Sequence, residues 1–174
     1  MAAVVLTIGH GARPLEELVA CLVDADAATL VDVRRFPGSR RHPQFGQAPL
    51  AQALSDGGIE YRHEVDLGGR RATTPDDDRF GCVELVAFRS YATWMGTREW
   101  RAALERALRC ERPCLMCAET PWWRCHRRLI ADALVARGVQ VRHLGRRGEA
   151  EGHRLFPEAE VRDGRLYLCG ALVV

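Results

Sequence analysis

The chain has 174 residues, of which 47% are hydrophobic and 28% charged, and it carries a formal net charge of +2. That is the balance of one soluble globular domain with a full core, and it excludes a disordered chain. The charge is too small for a general nucleic-acid binder. No stretch approaches the roughly 20 apolar residues a membrane span needs, and Ala2-Ala3-Val4-Val5-Leu6 is too short for a secretory signal and lacks a basic leader. A cytoplasmic protein with no membrane partner is therefore expected, and its seven cysteines are expected as free thiols rather than a disulfide framework.

Taken in chain order, the β-branched run Val4-Val5-Leu6-Thr7-Ile8 reads as a buried strand stopped by Gly9-His10-Gly11. Pro14, Glu16 and Glu17 suit a helix start, and Leu15, Leu18, Val19 and Leu22 recur at helical spacing. Thr29-Leu-Val-Asp-Val33 is a second buried strand that breaks into an arginine-rich loop over 34–47. A helix over 49–55 stops at Gly57-Gly58, and 59–64 reads as a third strand nearer an edge. Residues 65–81 read as a mobile surface loop. Two helices are predicted over 83–94 and 97–110, a buried strand over 114–117, a helix over 124–137 closed by Gly138, and a last strand over 139–144. This alternation predicts a single three-layer α/β domain over residues 1–145, with an open, mostly parallel, Rossmann-like sheet. Residues 146–174 read as a C-terminal extension, with Arg162-Asp-Gly-Arg165 turning a β-hairpin that packs on the domain.

Ligands of such sheets bind beyond the carboxyl ends of the strands, where loops lead into helix N-termini. His10 follows the first strand, Arg34 and Arg35 the second, and Cys117 and Glu119 a later one, so sequence-distant polar groups converge on one edge. Asp32, inside an apolar strand, needs a partner, and a nearby arginine is the expected one. Arg34 and Arg35 point to opposite faces if the strand runs through them. All 25 basic residues are arginine, and many are paired, as in Arg70-Arg71, Arg127-Arg128 and Arg146-Arg147, which points to local anion binding rather than a uniformly basic surface.

In the stretch LMCAETPWWRCHRRLIADAL, helical periodicity puts Leu129, Ile130, Ala133 and Leu134 on one apolar face with His126 near its centre, and Arg127 and Arg128 outside it. His126 is either a core histidine beneath the loop or a group reaching into the cleft. Cys114-Leu-Met-Cys117 is no zinc knuckle, because residues three apart on a strand face opposite sides. No cofactor is predicted; a metal, if present, would use Cys117, Cys125 and His126. Cys117, at a strand end facing a helix N-terminus, suits a nucleophile or redox thiol, with Glu119, His10 or His126 moving protons. Arg34, Arg35, Arg70, Trp123 and Arg127 are the candidate substrate-binding residues, Trp123 as an aromatic wall for a ring. The expected function is a cysteine-dependent hydrolase or transferase acting on a small anionic or phosphate-bearing, nucleotide- or nucleic-acid-related substrate. The alternatives are a non-catalytic nucleic-acid-binding module and a metal-binding domain.

Thr7-Ile-Gly-His10, Leu30-Val-Asp-Val-Arg-Arg-Phe-Pro37, Leu67-Gly-Gly-Arg70, Phe88-Arg-Ser-Tyr-Ala92 and Cys117-Ala-Glu119 with Trp123-Arg-Cys-His-Arg127 together resemble the domain of unknown function 488 family (DUF488). The resemblance implies a compact α/β domain with these residues grouped, and no established reaction. Leu30-Val-Asp-Val-Arg34 and the strand-end cysteine are more weakly similar to rhodanese and cysteine-phosphatase domains. The loop after Cys117 departs from those, since Glu119 adds negative charge and Pro121 removes an N–H donor.

Overall fold

A computed structural model describes residues 4–38, 40–72, 78–146 and 149–174. The expectations for Ala2, Ala3, Arg147 and the 73–77 part of the loop read over 65–81 lie outside the described residues. Strands β1 (Val4–Gly9), β2 (Thr29–Asp32), β3 (Glu60–His63), β4 (Pro113–Cys117) and β5 (Gln140–Leu144) run parallel, and a short β6 (Ala150–Gly152) joins antiparallel, in the order β3-β2-β4-β1-β5-β6. After each of the first four strands the chain returns to the same end of the sheet before the next strand begins. This brings the carboxyl ends of β1, β2 and β4 side by side, with Gly9 level with Cys117 and Asp32 level with Met116.

Alternation along the strands splits the core into two layers. Ile8, Leu30, Cys114 and Met116 pack with α1 (Leu15–Asp24) and α2 (Gln47–Asp56). Val5, Val31, Leu115, Cys117 and Val141 pack on the other face with α3 (Val86–Met95), α4 (Arg98–Leu108) and α5 (Arg127–Ala136). Cys114 and Cys117 thus face opposite layers, as strand geometry requires. No helix among the described residues is long and apolar enough to cross a membrane.

The C-terminal part forms a separate antiparallel sheet, β7 (Ala159–Arg162), β8 (Arg165–Leu168) and β9 (Ala171–Leu172), turned at Asp163-Gly164 where both residues have positive φ. Leu166, Leu168 and Val173 are buried in the same layer as α5. The antiparallel strands β6 and β9 were not expected from the sequence. Two or three paired residues are too few for an alternation to stand out.

Two expectations are corrected. Cys82 and Cys169 form a disulfide that ties the segment before α3 to the β8–β9 turn, whereas Cys21, Cys110, Cys114, Cys117 and Cys125 are free. The two halves lie 87 residues apart, so no local motif announced the pair. The segment after β3 is also no loose surface loop over 65–72. Leu67 is fully buried, the Tyr91 hydroxyl donates to its carbonyl at 2.6 Å, and Arg71 lies over the Trp94 ring while donating to the Gly68 carbonyl.

Candidate functional site

A cavity of about 370 Å³ opens at the carboxyl ends of β1, β2 and β4. Its walls bring together His10, Arg34, Arg35, Arg70, Cys117, Glu119 and His126 from the sequence-derived set. They add Phe36, Gly69, Phe88, Tyr91, Arg124 and Cys125, to which the sequence reading gave no catalytic or substrate-binding role. Gly9 permits the convergence: a Cβ there would meet the Glu119 carbonyl oxygen at 1.9 Å, so the loop after β4 closes over β1 only because residue 9 has no side chain.

The β2 end is organised by Asp32. Its carboxylate is wholly buried and accepts hydrogen bonds from the Arg34 backbone N–H (3.0 Å), Arg34 Nε (2.8 Å) and Nη2 (2.6 Å), and the Tyr61 hydroxyl (2.8 Å). This is the arginine partner expected for it, and it explains how a carboxylate survives among apolar strands. Arg34 also donates to the Phe45 carbonyl at 2.8 Å and to His10 Nε2 at 3.3 Å. Its charge is therefore matched within the protein rather than free for a ligand.

His10 is held at both nitrogens. Its Nδ1–H donates to the Gly11 carbonyl at 2.8 Å, Nε2 accepts from Arg34, and the ring stacks on Phe45 with centroids 4.2 Å apart. Burial outweighs the hydrogen bond to Gly11 and, with the Arg34 charge, lowers its pKa to about 4. Both ring nitrogens are thus engaged within the protein where His10 forms part of the cavity wall.

Because β2 ends at Asp32, the alternation expected of a continuing strand does not apply: Arg35 lines the cavity together with Arg34, and it donates to the Arg70 carbonyl at 2.6 Å. Gly68 lets it pass, since a Cβ there would meet the Arg35 Cα at 2.7 Å. Among the described residues, Arg35, Arg70 and Arg124 have no carboxylate partner. With Asp32 neutralised by Arg34, Glu119 is the one carboxylate among the lining residues, and it is exposed. The mouth of the cavity is accordingly electropositive.

The floor is built by Cys117 at the end of β4 and by Cys125 and His126 just before α5. His126 Nε2–H donates to the Val33 carbonyl at 2.9 Å, which leaves the Nδ1 lone pair facing the Cys125 Sγ at 3.5 Å and the Cys117 Sγ at 3.8 Å. Tyr91 meets the His126 ring edge-on at 5.0 Å, and its own hydroxyl accepts from Trp100 Nε1 at 2.9 Å, so the imidazole is held on three sides. Burial opposes ionisation of Cys125, yet the hydrogen bond from Cys117, the adjoining His126 and the Arg127 charge outweigh it and hold this thiol well below its ordinary range. Cys117, hydrogen-bonded to that sulfur and buried, is pushed well above. His126 thus reaches the cleft from the edge of the core, which combines the two positions considered for it.

Arg127 and Trp123 do not line the cavity. Arg127 was expected on the outer face of the helix and is instead 1% exposed, donating to Thr7 Oγ1 at 3.1 Å and to the Glu119 carbonyl at 2.5 Å. Helical periodicity missed this because α5 begins at Arg127 itself and packs all round its first turns: Asp132, also nominally polar, is fully buried. Arg128 is half-buried over the Phe156 ring at 3.9 Å, not outward. From Arg127 a buried chain runs through Thr7 to His143 Nδ1 (2.7 Å), His143 Nε2 to His153 Nδ1 (2.9 Å) and His153 Nε2 to Asp132 (2.7 Å). Trp122 stacks on His143 at 4.3 Å, while its neighbour Trp123 is 48% exposed. This hydrogen-bonded chain ties the loop of Glu119 to the start of α5, beside the cavity-lining residues Cys125 and His126.

No curated protein and no solved structure matches the chain, so the likeness to rhodanese and cysteine-phosphatase domains gains no support. The family model described as domain of unknown function DUF488 matches residues 14–134. Those residues carry the cavity arginines Arg34, Arg35, Arg70 and Arg124 and the whole thiol–imidazole floor, and the chain belongs to the DUF488 family.

Proposed function

We propose that the protein is an enzyme acting on a small anionic substrate, with phosphate-bearing molecules the best fit. The observation that carries this reading is the pairing of three guanidinium groups, on Arg35, Arg70 and Arg124, which have no carboxylate partner among the described residues, with a floor of two thiols and an imidazole in one cavity. Guanidinium groups recognise phosphate or carboxylate oxygens through paired N–H donors. Cys117, Cys125 and His126 are the groups placed for bond chemistry, and Glu119 on the rim is placed to carry a proton between substrate and solvent. Phe36, 62% exposed at the mouth beside Arg35, offers a ring face to an aromatic portion of the substrate.

The test is calorimetric binding of inorganic phosphate and nucleoside monophosphates at low salt, followed by a hydrolysis screen of phosphate mono- and diesters. Arg35→Ala with Arg70→Ala is expected to weaken binding at least tenfold, and Cys117→Ser to abolish turnover while binding persists. Absence of any anion binding at millimolar concentration would overturn the reading.

A second reading, a non-catalytic single-strand nucleic-acid module, is favoured by the exposed rings of Phe36 and Trp123 beside Arg35 and Arg124. It requires binding of oligonucleotides with a steep salt dependence and no turnover.

A further inference from the structure

The structure assigns Cys117 Sγ, Cys125 Sγ and His126 Nδ1 to one metal site: we propose that they hold a zinc-class divalent ion, with a fourth position open to the cavity. The three ligand atoms all lie within 4.8 Å of one another, and among the described residues no other three histidine, cysteine or carboxylate side chains bring one ligand atom each so close together. Zinc bonds of about 2.3 Å to sulfur and about 2.0 Å to nitrogen, at tetrahedral angles, give a sulfur-to-nitrogen edge of about 3.5 Å. The observed edges are 3.5 Å and 3.8 Å. The protein is already close to the shape that an ion would impose.

The surroundings complete the case. The His126 Nε2–H bond to the Val33 carbonyl fixes the tautomer that leaves Nδ1 free to coordinate, the usual outer support of a ligating histidine. Each sulfur receives a backbone N–H, from Arg127 at 3.5 Å for Cys125 and from Glu119 for Cys117. Gly69 lies against the ligand atom: a Cβ there would come within 2.8 Å of Nδ1. The bare glycine keeps the approach to the metal position clear.

The donor set selects the metal. Two thiolates and an imidazole suit zinc and exclude magnesium or calcium, which need oxygen ligands. Two thiolates also cancel the charge of a divalent ion, so the loaded floor is neutral where it is buried. Three protein ligands and an open position are the arrangement of reactive rather than purely structural zinc. A water molecule, or an oxygen of the anionic substrate drawn in by the arginines, completes the tetrahedron. The identity of that fourth ligand rests on the anion-binding reading above, whereas the metal site does not.

The experiment uses the full chain, purified without air, stripped with a chelator and titrated with Zn²⁺ and with Co²⁺. One ion per chain is expected, and the cobalt form should show thiolate charge-transfer absorption and the visible bands of tetrahedral coordination. Cys117→Ser, Cys125→Ser and His126→Gln should each lower affinity at least a hundredfold, with Cys110→Ser unchanged. Should these variants fail to fold, mapping of alkylated peptides in the unmutated protein decides, because zinc must slow modification of Cys117 and Cys125 at least tenfold and leave Cys110 unaffected. Less than a tenth of an equivalent bound, or no protection of the two thiols, would overturn the assignment. Zinc retained by an Arg35→Ala/Arg70→Ala/Arg124→Ala variant that no longer binds phosphate separates this site from the anion-binding reading.

Discussion

Gly69 lies directly against His126, so close that a Cβ on residue 69 would stand 2.8 Å from Nδ1 and 3.1 Å from Cγ. One of the two must move if residue 69 gains a side chain, and the imidazole is pinned by Val33 and Tyr91. Gly69→Ala is therefore expected to lower divalent-metal affinity by about 10- to 100-fold, the range typical of disturbed ligand support. Thermal stability should change far less. Cobalt titration checks this, and unchanged affinity in a folded variant would show that the ring is free to adjust.

The Asp32–Arg34 pair should behave as a buried ion pair. Removing the arginine alone, as in Arg34→Ala, strands a carboxylate that is wholly buried, at a cost of about 3 to 5 kcal/mol. The double change Asp32→Leu with Arg34→Met should cost less than Arg34→Ala, because no charge is left unmatched. Urea unfolding of the three proteins gives the comparison.

Acid stability follows from two histidines. Burial holds His10 at about 4 and His143 at about 3, against an ordinary value of 6.5. Their folded values are depressed, so below pH 6.5 the unfolded chain takes up protons that the fold refuses. Their contribution is whole above pH 6.5 and is lost as pH falls towards 4. Each accounts for roughly 2 kcal/mol of lost stability at pH 5. His10→Gln should remove about half of that pH dependence in unfolding measured at pH 7.5 and pH 5.

The Cys82–Cys169 disulfide braces the cavity from outside. It holds the segment entering α3, whose Phe88 and Tyr91 line the wall, and Phe88 also meets Phe156 edge-on at 6.0 Å. The double change Cys82→Ser/Cys169→Ser is expected to cost about 2 to 5 kcal/mol and to weaken phosphate binding several-fold. An unaltered melting temperature after reduction of the natural protein would contradict this.

The parallel sheet was legible because β1, β2 and β4 are short, mostly apolar runs, each followed in the chain by a helix; Val4–Gly9, Thr29–Asp32 and Pro113–Cys117 emerge within about a residue of expectation. From that topology alone Arg34, Arg35, Cys117 and Glu119 could be placed on one edge. What stayed hidden depends on distance in sequence or on exceptions to amphipathicity. Nothing local couples Cys82 to Cys169. Arg127 reads as a solvated residue until its partners, Thr7 and the Glu119 carbonyl, are brought to it by β1 and the β4 loop. Cys125 and His126 diverge if both are drawn on one helix, yet the backbone at Cys125 is still extended, with φ −122° and ψ 151°, and this turns both side chains toward Cys117. The double glycine at 68–69 was the one signal that a close approach would occur there.

The most direct test of the account is a crystal structure of the zinc-soaked protein, with anomalous data at the zinc edge and phosphate in the crystal. One peak is expected at about 2.3 Å from the sulfurs of Cys117 and Cys125 and about 2.0 Å from His126 Nδ1, with phosphate oxygen or water in the fourth position facing Arg35 and Arg70. A floor without zinc density, or zinc bound only at other residues, would contradict it.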